Sequence, residues 1–252
     1  MKFAIASCVV LAAAAGASAQ TFLFNSNGFE APGYTVGALA GQQGFVSEIA
    51  AASAAGNVQN TFANGGTQAV RLDGGVATNW FYPALNYTPN AGEIISVRAD
   101  IARTLGANTS SFGFLLDIYG NNGARIARAG LGASGGVVRA LVTTLGTTGA
   151  VGNFLANSTV YGQNQWVNFD IQLNFTTRTF DLIIDGVPTL ANLPMTNNAA
   201  TGLADADLQV STAAGATDAG FFDNYSVSVI PTPGSAALLG LGGLAALRRR
   251  RK

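Results

Sequence analysis

The 252-residue sequence predicts an all-β fold, an antiparallel β-sandwich flanked by an N-terminal signal helix and a short C-terminal apolar helix. Three observations lead there. Apolar residues recur with a period of two, as in Ile95, Val97, Ala99 and Ile101 alternating with Ser96, Arg98 and Asp100. Glycine and asparagine cluster between such runs, as in Gly120-Asn121-Asn122-Gly123, where hairpin turns belong. The composition is 48% hydrophobic and only 10% charged, with 32 Gly and few helix start or stop signals, which supplies a core and favours strands over helices.

Taken in order, residues 1–19 carry the parts of a secretory signal: Lys2, an apolar run over residues 3–15, and Ala17-Ser18-Ala19 as a small-residue cleavage site. The mature chain then begins near Gln20 and contains no cysteine, because the single Cys8 falls in the removed segment. Ile5-Ala6-Ser7-Cys8 has the form of a lipoprotein box, but too few residues precede it to build an apolar region. Without disulfides the fold rests on core packing. After the run at residues 95–101, Phe112, Phe114, Leu116 and Ile118 repeat the alternation, and Val138, Ala140 and Val142 give a shorter copy. The clearest unit covers residues 166–186. Phe169, Ile171, Leu173 and Phe175 point one way and Asp170, Gln172 and Asn174 the other; Thr176-Thr177-Arg178 turns the chain, and Phe180, Leu182 and Ile184 continue the buried face.

A strand opened by Trp166, a polar turn, a second strand and a closing Asp185-Gly186 resemble the hairpin of laminin-G-like and concanavalin A-like jelly rolls. Phe29-Glu30, residues 37–45 and Phe222-Asp223-Asn224-Tyr225-Ser226-Val227 are similar to the ends of such domains, with Phe45 where a Trp is more usual. The resemblance implies one domain over residues 20–229 with its first and last strands side by side. It also implies a structural Ca²⁺ held by Glu30, Asp223 and Asn224, all hard oxygen ligands.

The sequence excludes much of enzyme chemistry. With no His there is no Ser-His-Asp triad and no imidazole metal site, and with lysine only at Lys2 and Lys252 there is no phosphate-loop or Schiff-base lysine. Six of the 13 cations are terminal, so the stretch between the signals holds seven cations against 13 carboxylates, a net charge of −6 that argues against nucleic acid. Gly130, Gly132 and Gly135 match a dinucleotide pattern, but no acid follows until Asp170, and they read as turn residues. A glycosidase on this fold needs alternate acids on one strand; none is evident, and the pairs Asp181/Asp185 and Asp205/Asp207 read as a solvated strand face and a loop. Trp80-Phe81-Tyr82, Tyr87, Tyr119 and Tyr161 are candidates for a sugar-binding surface, set against their ordinary use in cores and loop anchors.

The tail joins Pro231-Thr232-Pro233-Gly234, an apolar stretch to residue 247, and Arg248-Arg249-Arg250-Arg251-Lys252. At about 1.5 Å per residue, residues 234–247 reach roughly 21 Å, short of a roughly 30 Å hydrocarbon core. The three parts resemble the PEP-CTERM sorting signals that exosortases cleave during export, with Thr232 where the commonest form has Glu. The expectation is an exported, non-enzymatic protein of the cell surface or extracellular matrix, held briefly in the membrane with its basic end cytoplasmic and then processed. A lectin-like module for extracellular polysaccharide and a divergent glycoside hydrolase are the alternatives.

Overall fold

Sixteen strands follow one another in the computed structural model, which describes residues 20–75, 78–106, 112–134, 136–145, 151–211, 214–215 and 217–230. They are β1 (Thr21–Asn25), β2 (Gly37–Ala38), β3 (Phe45–Ser47), β4 (Gly56–Gln59), β5 (Ala69–Asp73), β6 (Asn79–Pro83), β7 (Ile94–Thr104) and β8 (Phe112–Gly120). Then come β9 (Arg125–Ser134), β10 (Val137–Leu145), β11 (Val151–Tyr161), β12 (Val167–Asn174), β13 (Thr179–Ile184), β14 (Val187–Pro194), β15 (Leu203–Val210) and β16 (Ala219–Ile230). Two antiparallel sheets result, ordered β14-β13-β12-β7-β16-β5-β4-β2 and β11-β10-β9-β8-β15-β6-β3, with β1 added beside β16 in the first. They face one another as a sandwich, as the alternation predicts.

The 166–186 hairpin forms in the expected register. Phe169, Ile171 and Leu173 sit opposite Ile184, Leu182 and Phe180 on one side and Ala99, Val97 and Ile95 on the other, all in the common core. Asp185 and Gly186 both have positive φ, 52° and 75°, which suits the twist of a two-residue hairpin turn. The opposite face is less solvated than expected: Asp170 is buried opposite Arg98 and accepts a hydrogen bond of 2.6 Å from the Ser96 hydroxyl. The first and last strands are neighbours. Strand β1 pairs with the C-terminal half of β16, and β5 takes the same edge over the N-terminal half.

Gly130 and Gly132 lie within β9 rather than in a turn, and β9 runs into a hairpin with β10 where a dinucleotide fold would need a helix. At Gly130 a Cβ would stand 2.4 Å from the Phe114 carbonyl oxygen, so close strand approach requires the glycine. Gly135 lies outside the described residues, as do both terminal signals: Ala17 and Ala19 at one end, and Pro231, Thr232, Pro233, Gly234, Arg248, Arg249, Arg250 and Arg251 at the other. Among the described residues no helix is long and apolar enough to cross a membrane.

Candidate functional site

The register of the seven-stranded sheet brings distant polar residues into rows. Phe81, Leu116, Ile118, Ala206 and Leu208 point into the core, so their neighbours along the same strands face outward. Across β9, β8 and β15, Arg128 stands opposite Asp117 and Asp117 opposite Asp207. One step along, Arg125 stands opposite Tyr119 and Tyr119 opposite Asp205, and on the other side Gln209 stands opposite Trp80 of β6. The Asp205/Asp207 pair therefore belongs to a strand and not to a loop, because Ala206, Leu208 and Val210 anchor β15 in the core.

Asp117 organises this face. Its side chain is fully buried and accepts hydrogen bonds from Arg125 Nε at 2.5 Å and Nη2 at 3.0 Å, Arg128 Nη2 at 2.6 Å, Trp80 Nε1 at 3.1 Å and the Tyr119 hydroxyl at 3.3 Å. Two carboxylates directly opposite would repel. The two guanidinium groups offset that by neutralising Asp117, whose carboxylate also holds the Trp80 indole N–H and the Tyr119 hydroxyl. Beside them opens a depression of about 240 Å³ lined by Glu48, Trp80, Tyr82, Tyr119, Asp205 and Asp207. The Tyr82 hydroxyl donates to Glu48 Oε2 at 2.8 Å.

Within the depression Asp205 and Asp207 are held in their neutral form more readily than usual. Burial, followed by the negative charges of Asp205, Asp117 and Glu48, pushes Asp207 well above the ordinary carboxylate range, and burial raises Asp205 as well. Asp207 Oδ1 is buried without a hydrogen-bond partner. Burial also lifts the Tyr119 phenol to about 12.

The residues expected to hold Ca²⁺ do meet, at the junction of the chain ends. A Cβ on Gly28 would lie 3.4 Å from Asp223 Oδ1, 3.5 Å from Asn224 Oδ1 and 3.6 Å from Glu30 Cγ. They meet through the loop at residues 64–68. The backbone N–H of Asn64 donates to Asp223 Oδ2 at 2.7 Å, those of Thr67 and Gln68 donate to Glu30 Oε1 at 2.7 and 2.9 Å, and the Thr67 hydroxyl donates to Glu30 Oε2 at 2.7 Å. The Asn224 amide donates to Asp100 Oδ2 at 2.7 Å. Two side-chain oxygens converge at Gly28, where Ca²⁺ takes six to eight oxygens in all, so this donor set alone does not make a Ca²⁺ cage. Among the described residues no three Asp, Glu, His or Cys side chains form a group able to hold a metal ion.

Of the aromatic candidates, Trp80, Tyr82 and Tyr119 line the depression, whereas Phe81 and Tyr161 are buried and the Tyr87 hydroxyl is tied to Glu93 at 2.8 Å. Glu48, Asp117, Arg125 and Arg128 were not singled out by sequence; the alternation of Asp205, Asp207 and Gln209 with Ala206, Leu208 and Val210 is the signal that could have placed β15.

No protein-family model matches the chain, and no curated protein sequence matches it either. Solved structures do share its fold. A carbohydrate esterase of the Shiga toxin-encoding bacteriophage phi24B aligns with a TM-score of 0.54 at 15% identity over 85% of this chain and 100% of that one. The T. cruzi calreticulin globular domain aligns with a TM-score of 0.50 at 9% identity over 84% of this chain and 94% of that one. A sialidase aligns with a TM-score of 0.46 at 13% identity over 72% of this chain, and the chain spans only 16% of that enzyme. At these identities the likeness to the esterase and to the calreticulin domain shows the β-sandwich fold alone.

Proposed function

We propose that this chain is an exported cell-surface or matrix protein whose sandwich adheres by binding saccharide at the Trp80–Tyr82–Tyr119 depression. The observation that carries the reading is the placing of three part-exposed aromatic rings from two strands beside the carboxyl groups of Glu48, Asp205 and Asp207 on an open sheet face. Pyranose rings present apolar C–H faces that pack on aromatic rings, and their hydroxyls donate to carboxylates. Asp117 holds Trp80 and Tyr119 in place before any ligand arrives, which lowers the ordering cost of binding. Delivery follows from the sequence: cleavage after Ala19, passage of the sandwich out of the cell, brief retention by residues 230–252 and cutting near Pro231-Thr232-Pro233 by an exosortase-type protease.

Asp205 and Asp207 alternate along β15, the spacing a glycosidase on this fold would need, so hydrolysis is the second reading to be tested beside binding. A glycan array probed with residues 20–230 and with the Trp80→Ala variant, alongside a reducing-end release assay, tests the reading. Trp80-dependent retention of glycans without release of sugar supports it. Retention that survives Trp80→Ala, or turnover, contradicts it.

A further inference from the structure

The depression is acidic beyond what hydroxyl recognition needs. Glu48, Asp205 and Asp207 line it with no cation among the described lining residues, and the nearby Arg125 and Arg128 are engaged by Asp117. The neighbouring charges that raise Asp205 and Asp207 most are negative, Glu48 and Asp117 among them. Asp207 is 3% exposed, faces the depression, and keeps Oδ1 without a hydrogen-bond partner, an arrangement costly to maintain unless a donor arrives from outside. The indole of Trp80 and the rings of Tyr82 and Tyr119 add electron-rich faces, which attract cations. An anionic sugar is repelled by such a surface, a neutral one leaves Asp207 Oδ1 to a weak donor, and an ammonium group supplies both charge and protons.

Resting on the saccharide-binding reading above, we propose that the depression selects a saccharide bearing a free ammonium group, a de-N-acetylated amino sugar, with its ring against Trp80 and its ammonium directed to Asp207, Asp205 and Glu48. The bound cation favours the ionised form of Asp207, so binding releases the proton that burial helps Asp207 to keep. A neutral sugar displaces none.

The test is isothermal titration of residues 20–230 with a glucosamine tetramer, its fully N-acetylated counterpart, a glucose tetramer and tetralysine, in two buffers of different ionisation heat. The glucosamine tetramer is expected to bind at least about tenfold more tightly than either neutral sugar or tetralysine, with proton release seen for it alone. Glu48→Gln and Asp205→Asn, checked for folding by circular dichroism, should shrink the preference over the neutral sugars below about twofold. Equal affinity for the amino and neutral tetramers overturns this inference and leaves saccharide binding standing. Tetralysine binding as tightly as the glucosamine tetramer overturns it in favour of charge alone, and absence of binding by all three sugars overturns both readings.

Discussion

Replacing Asp117 by alanine removes the group on which both the sheet row and the depression depend. Its carboxylate is fully buried and takes two guanidinium heads, an indole N–H and a phenol. Breaking a buried ion pair by deleting one partner costs about 3–5 kcal/mol, because the other charge stays behind unpaired. Here the arginines are not fully enclosed: the Arg125 side chain is 30% exposed and that of Arg128 13%, so water reaches part of both heads. That places the expected loss near the lower end, about 3 kcal/mol, and the fall in Tm for a domain of this size at about 6–12 °C. Asp117→Asn keeps an acceptor for Trp80 but loses the charge, and should cost about 1–2 kcal/mol. Urea unfolding of each variant measures these values, and an Asp117→Ala/Arg128→Ala double mutant should lose less than the sum of its parts. Arg71→Ala is the control, since the Arg71–Asp73 pair is 48% and 40% exposed and should be worth little. If Asp117→Ala cost no more than Arg71→Ala, the claim that Asp117 organises the face would be wrong.

Stability should fall as pH rises from about 5 to 8.5. Burial above all, with Asp100 and Glu30 as negative neighbours, pushes Asp223 up to about 7, and Asp205 and Asp207 shift the same way. Groups raised in this manner stabilise the fold while protonated, fully below about pH 3.9, and lose that contribution as pH passes the folded value, so a decline of a few kcal/mol is expected near pH 7. Glu30 and Glu93 are shifted down, and their contribution is lost only as pH falls below the usual carboxylate range. Asp223→Asn should remove much of the slope; unfolding curves that are flat or rising over this interval would refute the assignment. Because loop N–H groups already join Glu30 and Asp223, Glu30→Gln should lower Tm equally in chelator and in millimolar Ca²⁺, whereas a Ca²⁺-dependent rise in Tm that vanishes in Asp223→Ala would establish the metal clamp expected from sequence. Intact mass of the protein from its host envelope should show a chain beginning near Gln20 and lacking Arg248, Arg249, Arg250, Arg251 and Lys252. A chain still ending at Lys252 would reduce the tail to an anchor.

What the sequence displays well is local. Alternation and turn residues mark the 166–186 hairpin because its two strands, its Thr176-Thr177-Arg178 turn and the closing Asp185-Gly186 are contiguous, so burial and register are set by neighbours in the chain. The meeting of Glu30 with Asp223 is nonlocal, and it was reached only through resemblance to domains whose ends adjoin. The depression is nonlocal too. Asp117, Asp207 and Arg128 become one row only when β9, β8 and β15 lie side by side in register, and no single stretch of sequence encodes that order. Asp205 and Asp207 look like loop residues amid alanines, although Ala206, Leu208 and Val210 carry the strand's alternation; small side chains give it weak contrast. Glu48 follows a three-residue strand and reaches Tyr82 across 34 positions of chain.

The two tryptophans offer the most direct test of the saccharide site, since Trp166 stacks on Phe62 at a centroid distance of 5.0 Å in a cluster separate from the depression. In a Trp166→Phe variant, all indole emission comes from Trp80. Titration of that variant with the oligosaccharide selected on the glycan array should shift or quench the emission with the same saturation curve that calorimetry gives for binding, as expected when a sugar ring covers the indole. Saturable binding with Trp80 emission unchanged would place the ligand elsewhere on the molecule and contradict the account.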